Sequence, residues 1–188
     1  MAPLLILFGT ADGQTHKIAN FLAETLRRDG ADVDVRDAAG PVERLYPEVY
    51  SGVIVAAPVR AGRYPRQVRR WVRANAESLS GRPSAFLSVC LAVLAGRPET
   101  EREIAAILER FFESSGWRPG IIKSVAGALP YTRYGWLKRW LLRRIVRQHG
   151  GDTDWTRDFE YTDWDDLRAF AHSFNELVYG PRVQAAAG

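Results

Sequence analysis

The chain has 188 residues, 46% of them apolar and 26% charged, with a formal net charge of +4 and a single cysteine, Cys90. That length suits one domain with a proper core, and the composition is that of an ordinary soluble globular protein. A lone cysteine excludes a disulfide framework and a thiolate metal cluster. No apolar run approaches the ~20 residues of a spanning helix, and the N-terminus lacks a basic-then-apolar leader pattern, so cytoplasmic residence is expected, with no metal.

The first element is an apolar strand over Pro3–Phe8, buried on both faces. A loop of small, hydroxylated and amide residues follows, Gly9 to Thr15, and then a helix over Thr15–Asp29. That helix carries Ile18, Phe21, Leu22 and Leu26 at helical spacing, with Gly30 as its stop. Ala31–Arg36 alternates and reads as a less buried strand. Val53–Ala57 is a third strand, buried. Pro65 opens a second helix with Val68, Trp71, Val72 and Leu79 on one face. Ser84–Leu91 is a fourth strand and Glu99–Ser115 a third helix, carrying Ile104, Ile107, Leu108, Phe111 and Phe112. Ile121–Ala126 is a fifth strand. Asp163–Val178 is the last helix, and residues 180–188 read as a flexible tail.

Strands that alternate with helices argue for a parallel sheet covered on both faces. Five strands with a loop of this kind after the first suit a doubly wound sheet of order 2-1-3-4-5, an α/β fold occupying residues 1–179 as one domain. Ligands then sit beyond the carboxyl ends of the strands, where the loops Gly9–Thr15, Pro58–Tyr64 and Leu91–Arg97 converge. Residues 129–159 break the plain repeat. About thirty residues before the last helix form an insertion too long for an ordinary loop.

The first loop is a phosphate cradle by construction, because it delivers unpaired N–H groups and hydroxyls to a helix N-terminus. A lysine-bearing G-x-x-x-x-G-K-[ST] loop is absent, since Gly9 and Gly13 lie four apart and no Lys-Thr pair follows. A G-x-G-x-x-G fingerprint is absent too. Thr10, Asp12, Gly13 and Thr15 instead supply T-x-[TD]-G-x-T, which is like the FMN phosphate loop of flavodoxins and needs no lysine.

Further residues extend that likeness along the chain. Leu5-Ile6-Leu7-Phe8 with Asp12-Gly13-Gln14-Thr15 is followed by Ile54 to Ala57, Arg60, Gly62 and Tyr64. Then come Pro83-Ser84-Ala85-Phe86, Ser88-Val89, Trp117-Arg118-Pro119, and Ala126-Gly127-Ala128-Leu129 with Tyr131, Arg133, Tyr134 and Trp136. Gly150-Gly151, Thr153-Asp154 and Tyr161-Thr162-Asp163-Trp164 complete the set. Together these resemble the menaquinone-dependent protoporphyrinogen IX dehydrogenase family, flavodoxin-like enzymes of haem biosynthesis.

The resemblance implies FMN as cofactor and removal of six electrons from protoporphyrinogen IX, giving protoporphyrin IX, with menaquinone or ubiquinone as acceptor. Flavin N5 then carries the redox chemistry and no protein side chain is assigned a catalytic role. FMN contacts are expected from Thr10, Ala11, Asp12, Gly13, Gln14 and Thr15, and from Pro58, Val59, Arg60, Gly62 and Tyr64. Ser88, Val89, Cys90 and Leu91 complete them. Tyr64 is the candidate to cover the isoalloxazine ring. Arg60 and Arg63 are candidates to offset negative charge on reduced flavin or to pair with substrate propionates. Cys90 stands where the family pattern puts an asparagine, and Arg63 where a histidine is usual.

The insertion carries Arg133, Lys138, Arg139, Arg143, Arg144 and Arg147 and, from Tyr131 to His149, no acidic residue. At ~100° per residue, Leu137, Leu141, Leu142, Ile145 and Val146 share one half of a wheel, interrupted by Lys138. Trp136 and Trp140 fall on the other, among the arginines. Arg63, Arg133, Trp136, Arg139, Trp140, Arg143 and Arg147 are therefore read as substrate or membrane contacts, and the helix as docking peripherally on the anionic cytoplasmic face of the inner membrane. No nucleic-acid partner is expected. Two alternatives remain at this stage: a flavodoxin-type electron carrier, which the basic charge disfavours, and an NAD(P)H:quinone reductase.

Overall fold

The computed structural model describes residues 2–91, 98–129 and 159–180. Five strands, β1 (Leu4–Phe8), β2 (Val33–Asp37), β3 (Gly52–Pro58), β4 (Ser84–Val89) and β5 (Ile121–Val125), form one all-parallel sheet in the order β2-β1-β3-β4-β5. The three central strands are buried on both faces almost throughout, while at the edges β5 alternates with exposed positions and β2 becomes exposed toward its end. This is the sheet the alternating pattern predicts.

Period-two alternation along the strands creates two cores. Leu4, Ile6 and Phe8 face α1 (Gln14–Arg28) and the last helix, α5 (Trp164–Tyr179), with Ile18, Leu22, Leu167 and Phe174 fully buried between them. Leu5 and Leu7 face the opposite way, toward α2 (Arg66–Ala74), α3 (Ala76–Ser80) and α4 (Pro98–Ser115), where Trp71 is buried and Phe86 packs tilted on Phe111 and edge to face on Trp117. Each fully buried aliphatic side chain here contributes about 1.5–3 kcal/mol.

One predicted helix is two. The run from Pro65 to Leu79 breaks at Asn75, which leaves helical geometry (φ −120°). Its Nδ2 donates to the Trp71 carbonyl at 2.8 Å, occupying an acceptor that ends α2. Both pieces still bury the residues on the predicted face, Val68, Trp71, Val72 and Leu79. β4 ends at Val89, two residues short of expectation, although the Cys90 N–H still donates to the Val125 carbonyl at 2.9 Å.

A second, two-stranded ribbon stands after β5. β6 (Ala128–Leu129) pairs antiparallel with β7 (Phe159–Glu160), Leu129 opposite Phe159. These strands sit where the insertion was expected to begin and end. Arg133, Trp136, Arg139, Trp140, Arg143 and Arg147, like residues 92–97 and the tail from 181, lie outside the described residues.

Candidate functional site

The loops after β1, β3 and β4 all leave the carboxyl edge of the sheet, and backbone bonds hold them level. Gly9 N–H donates to the Ala56 carbonyl, Val59 N–H to Val89, and Cys90 N–H to Val125, each at 2.9 Å. Gly9 is required there. A Cβ on it would lie 2.6 Å from Val68 Cγ2 and 3.3 Å from Pro65 Cγ, so β1 can end against the start of α2 only without a side chain.

The first loop turns on Gly13, which precedes α1 with φ +93°. Thr10 Oγ1 accepts from the Gly13 N–H at 3.0 Å and closes the turn. No side chain caps α1 and its first turn holds no acidic residue. The donors and positive dipole of a fifteen-residue helix are thus presented at the loop, the nearby Asp12 carboxylate being paired with Arg60. A phosphate group fits that donor set.

Side chains tie this loop to its neighbours. Asp12 and Arg60 form an ion pair at 2.5 Å, joining the first loop to the second. Gln14 Nε2 donates to Thr162 Oγ1 at 2.8 Å, and that hydroxyl donates to the Ala126 carbonyl at 2.9 Å. Thr162 is tied to the first loop by a contact that local spacing could not reveal, because its partner lies 148 positions away. The residue after it, Asp163, caps α5 by accepting from the N–H groups of Asp165 and Asp166, so the helix start holds Thr162 in place.

In the second loop Arg60 and Arg63 exchange backbone bonds at 2.8 and 3.0 Å across a two-residue turn. Ala61 (φ +47°) and Gly62 (φ +70°) occupy its corners, the signature of a type I′ hairpin. Arg60, Ala61 and Arg63 are exposed, and Pro58, Val59 and Gly62 are half-buried.

Tyr64 departs from expectation. Its side chain turns inward, only 3% exposed, with ring contacts to Phe86 and Phe111 at 4.9 Å. Its hydroxyl donates to Ser88 Oγ at 2.8 Å. In this conformation it offers no free face for stacking on a flavin, and Ser88 is likewise fully buried with it. The physical reason is parity: Ser88 shares a strand face with Phe86, and Tyr64 fills the gap between that face and α4. Burial pushes the Tyr64 phenol up to about 12, opposed by its hydrogen bond with Ser88 and reinforced by Cys90. Val89 is buried, whereas Cys90 and Leu91 are half-buried at the rim.

Among the described residues no helix is long and apolar enough to cross a membrane.

Residues 5–156 match the family described as the flavodoxin domain. The protoporphyrinogen IX dehydrogenase (quinone) of Escherichia coli strain K12 is 36% identical over 181 residues, covering 96% of this chain and 98% of that protein. The protein of the same name from Leishmania major is 33% identical over 188 residues, covering 96% of this chain and 79% of its own length. Among solved structures, oxidised flavodoxin 1 from Bacillus cereus superposes with a TM-score of 0.57 at 16% identity, covering 92% of this chain and 96% of that one, a likeness of fold. With the domain matched over most of its length and a curated relative aligned nearly end to end, this chain belongs to the flavodoxin-domain family of protoporphyrinogen IX dehydrogenases.

Proposed function

We propose that this protein oxidises protoporphyrinogen IX to protoporphyrin IX, with FMN as cofactor and a quinone as electron acceptor, in haem biosynthesis. The observation that carries this is the near-complete alignment with the Escherichia coli enzyme, which spans the insertion as well as the sheet. In balance, one porphyrinogen gives up six electrons and six hydrogens, and three quinones become three quinols. FMN, when bound, supplies the hydride-accepting centre that connects these two half-reactions.

The chain's own part is binding and electrostatics. Thr10, Ala11, Asp12, Gln14 and Thr15 would hold the phosphate through backbone N–H groups at the uncapped start of α1, while Gly13 makes the turn with its own N–H bonded to Thr10. The rims of the second and third loops, Pro58 to Gly62 and Cys90 to Leu91, would flank the ring. Tyr64 and Ser88 would support those rims from below through their buried hydroxyl pair. Arg60 is held beside the first loop by Asp12 and places a guanidinium where negative charge would accumulate on reduction. The insertion, through Arg133, Trp136, Arg139, Trp140, Arg143 and Arg147, would dock the enzyme on the anionic cytoplasmic face of the inner membrane, where quinone resides.

Anaerobic mixing of the FMN-loaded protein with protoporphyrinogen IX and either menaquinone or ubiquinone should yield porphyrin fluorescence and bleach the quinone. Bleaching by NADPH alone, without porphyrinogen, would instead identify a quinone reductase. Flotation with phosphatidylglycerol vesicles should be lost on charge reversal at Arg139, Arg143 and Arg147, and flotation unchanged by that reversal would remove the docking role.

A further inference from the structure

The hairpin of Arg60–Arg63 overhangs a cleft of about 170 Å³ where α2 and α4 run side by side. Its rim holds three exposed arginines from three elements: Arg63 from the hairpin, Arg69 from α2 and Arg110 from α4. Apart from the arginines its lining is Gly62, Tyr64, Ile107, Phe111 and Ser114, so that carbon predominates below the charged rim.

Several exposed arginines of this protein pair with carboxylates, although among the described residues Arg44, Arg66, Arg73 and Arg102 do not. Arg36 pairs with Asp34 at 2.8 Å, and Arg118 grips Glu109 with two bonds at 2.6 and 3.1 Å. Among the described residues, none of the three rim arginines has a carboxylate partner. Arg110 Nε donates to the carbonyl of Ala106 on its own helix at 3.1 Å, which anchors the head group at the rim. Three like charges gathered around one small volume favour an anion there. Guanidinium forks match a carboxylate, and the floor beneath suits a short aliphatic stem.

We propose that this cleft is an alkyl-carboxylate subsite, and that it seats a propionate arm of the tetrapyrrole, an assignment of occupant that rests on the activity proposed above. The arm enters between Arg69 and Arg110, its methylenes lie on Ile107 and Phe111, and the macrocycle extends past Arg63 toward the rim of the second loop. A quinone has no carboxylate, so the subsite separates donor from acceptor.

The test uses the FMN-loaded full chain and the stable product, protoporphyrin IX, against its dimethyl ester, with binding read by fluorescence. Wild type should prefer the diacid by about tenfold or more, the scale of one charge-assisted pair. R69Q/R110Q should abolish that preference while leaving ester affinity, FMN affinity and thermal midpoint unchanged, and R69K/R110K should retain part of it. A preference that survives in R69Q/R110Q, or a wild type that turns over yet binds acid and ester alike, overturns the subsite and leaves the activity standing. A wild type that neither binds nor oxidises the tetrapyrrole overturns both. Phosphatidylglycerol vesicles form a separate arm. If R69Q/R110Q loses flotation while keeping the acid preference, the cleft belongs to a lipid phosphate and the propionate is excluded.

Discussion

Gly9 sets a sharp residue-scale condition on this fold. Its absent side chain lets the end of β1 meet Val68 and Pro65 directly. Gly9→Ala should therefore destabilise by about 1–3 kcal/mol through overpacking. In a double-mutant cycle with Val68→Ala the two costs should be non-additive by at least about 0.5 kcal/mol, read from urea melts. Tyr64 sets a second condition, in pH. Its folded-state pKa lies above the ordinary 10.0, at about 12. The neutral buried phenol therefore contributes fully below pH 10, and that contribution disappears as pH climbs through about 12. A shift of that size corresponds to about 2–3 kcal/mol. Tyr50 is raised to about 12 as well, by burial and then by its bond to Asp34. Wild type should thus lose stability between pH 10 and 12, and Tyr64→Phe should lose measurably less over that range, with Tyr50 still contributing. A variant that melts in parallel with wild type across that range would remove Tyr64 from the account. Sequence could name Tyr64 as an aromatic in a loop but not its direction. An aromatic one residue before a helix-opening proline serves a core or a ligand equally well until the facing strand is known.

Helices and strands were legible because their apolar periodicities are long and unmixed. The sheet order followed from that alternation together with the loop after the first strand, and helix boundaries fell within one or two residues where Gly30, Pro65 and Asp163 punctuate the chain. Asn75 was missed because its effect is a side-chain bond to its own helix, which competes with the helical pattern without disturbing it. The tie between Gln14 and Thr162 was missed for the opposite reason, being a contact across the whole fold. That tie gives the start of α5 a duty beyond ending a loop. Asp163→Ala should cost about 1 kcal/mol of stability by removing the cap, and Asp163→Ser should recover most of it. Because the cap positions Thr162 beneath Gln14, the alanine variant should also weaken FMN binding several-fold, measured by flavin fluorescence quenching. Unchanged flavin affinity in a destabilised Asp163→Ala protein would separate the cap from the phosphate loop.

At the scale of the whole molecule, the five-stranded sheet carries a core on each face, and its carboxyl edge gathers the residues proposed for the cofactor. The insertion was recognisable as a break in the repeat, yet nothing in its composition announced how it joins the fold. The ribbon of β6 and β7 supplies that answer, because Leu129 and Phe159 are antiparallel partners. A chain with residues 131–157 replaced by a short glycine-containing turn should keep its thermal midpoint within a few degrees and still bind FMN, while losing quinone turnover. Unfolding of that shortened chain would show the segment to be part of the core. The ribbon has one more consequence. Facing partners in such a pair stand about 5 Å apart, so the polypeptide departs and returns at a single point. Joining two ends held this close costs a closure entropy that grows by only about 0.6 kcal/mol per doubling of length. Descent could therefore lengthen, trim or exchange the segment as a cassette, fitting one redox chassis to different donors and different membranes without renegotiating the sheet.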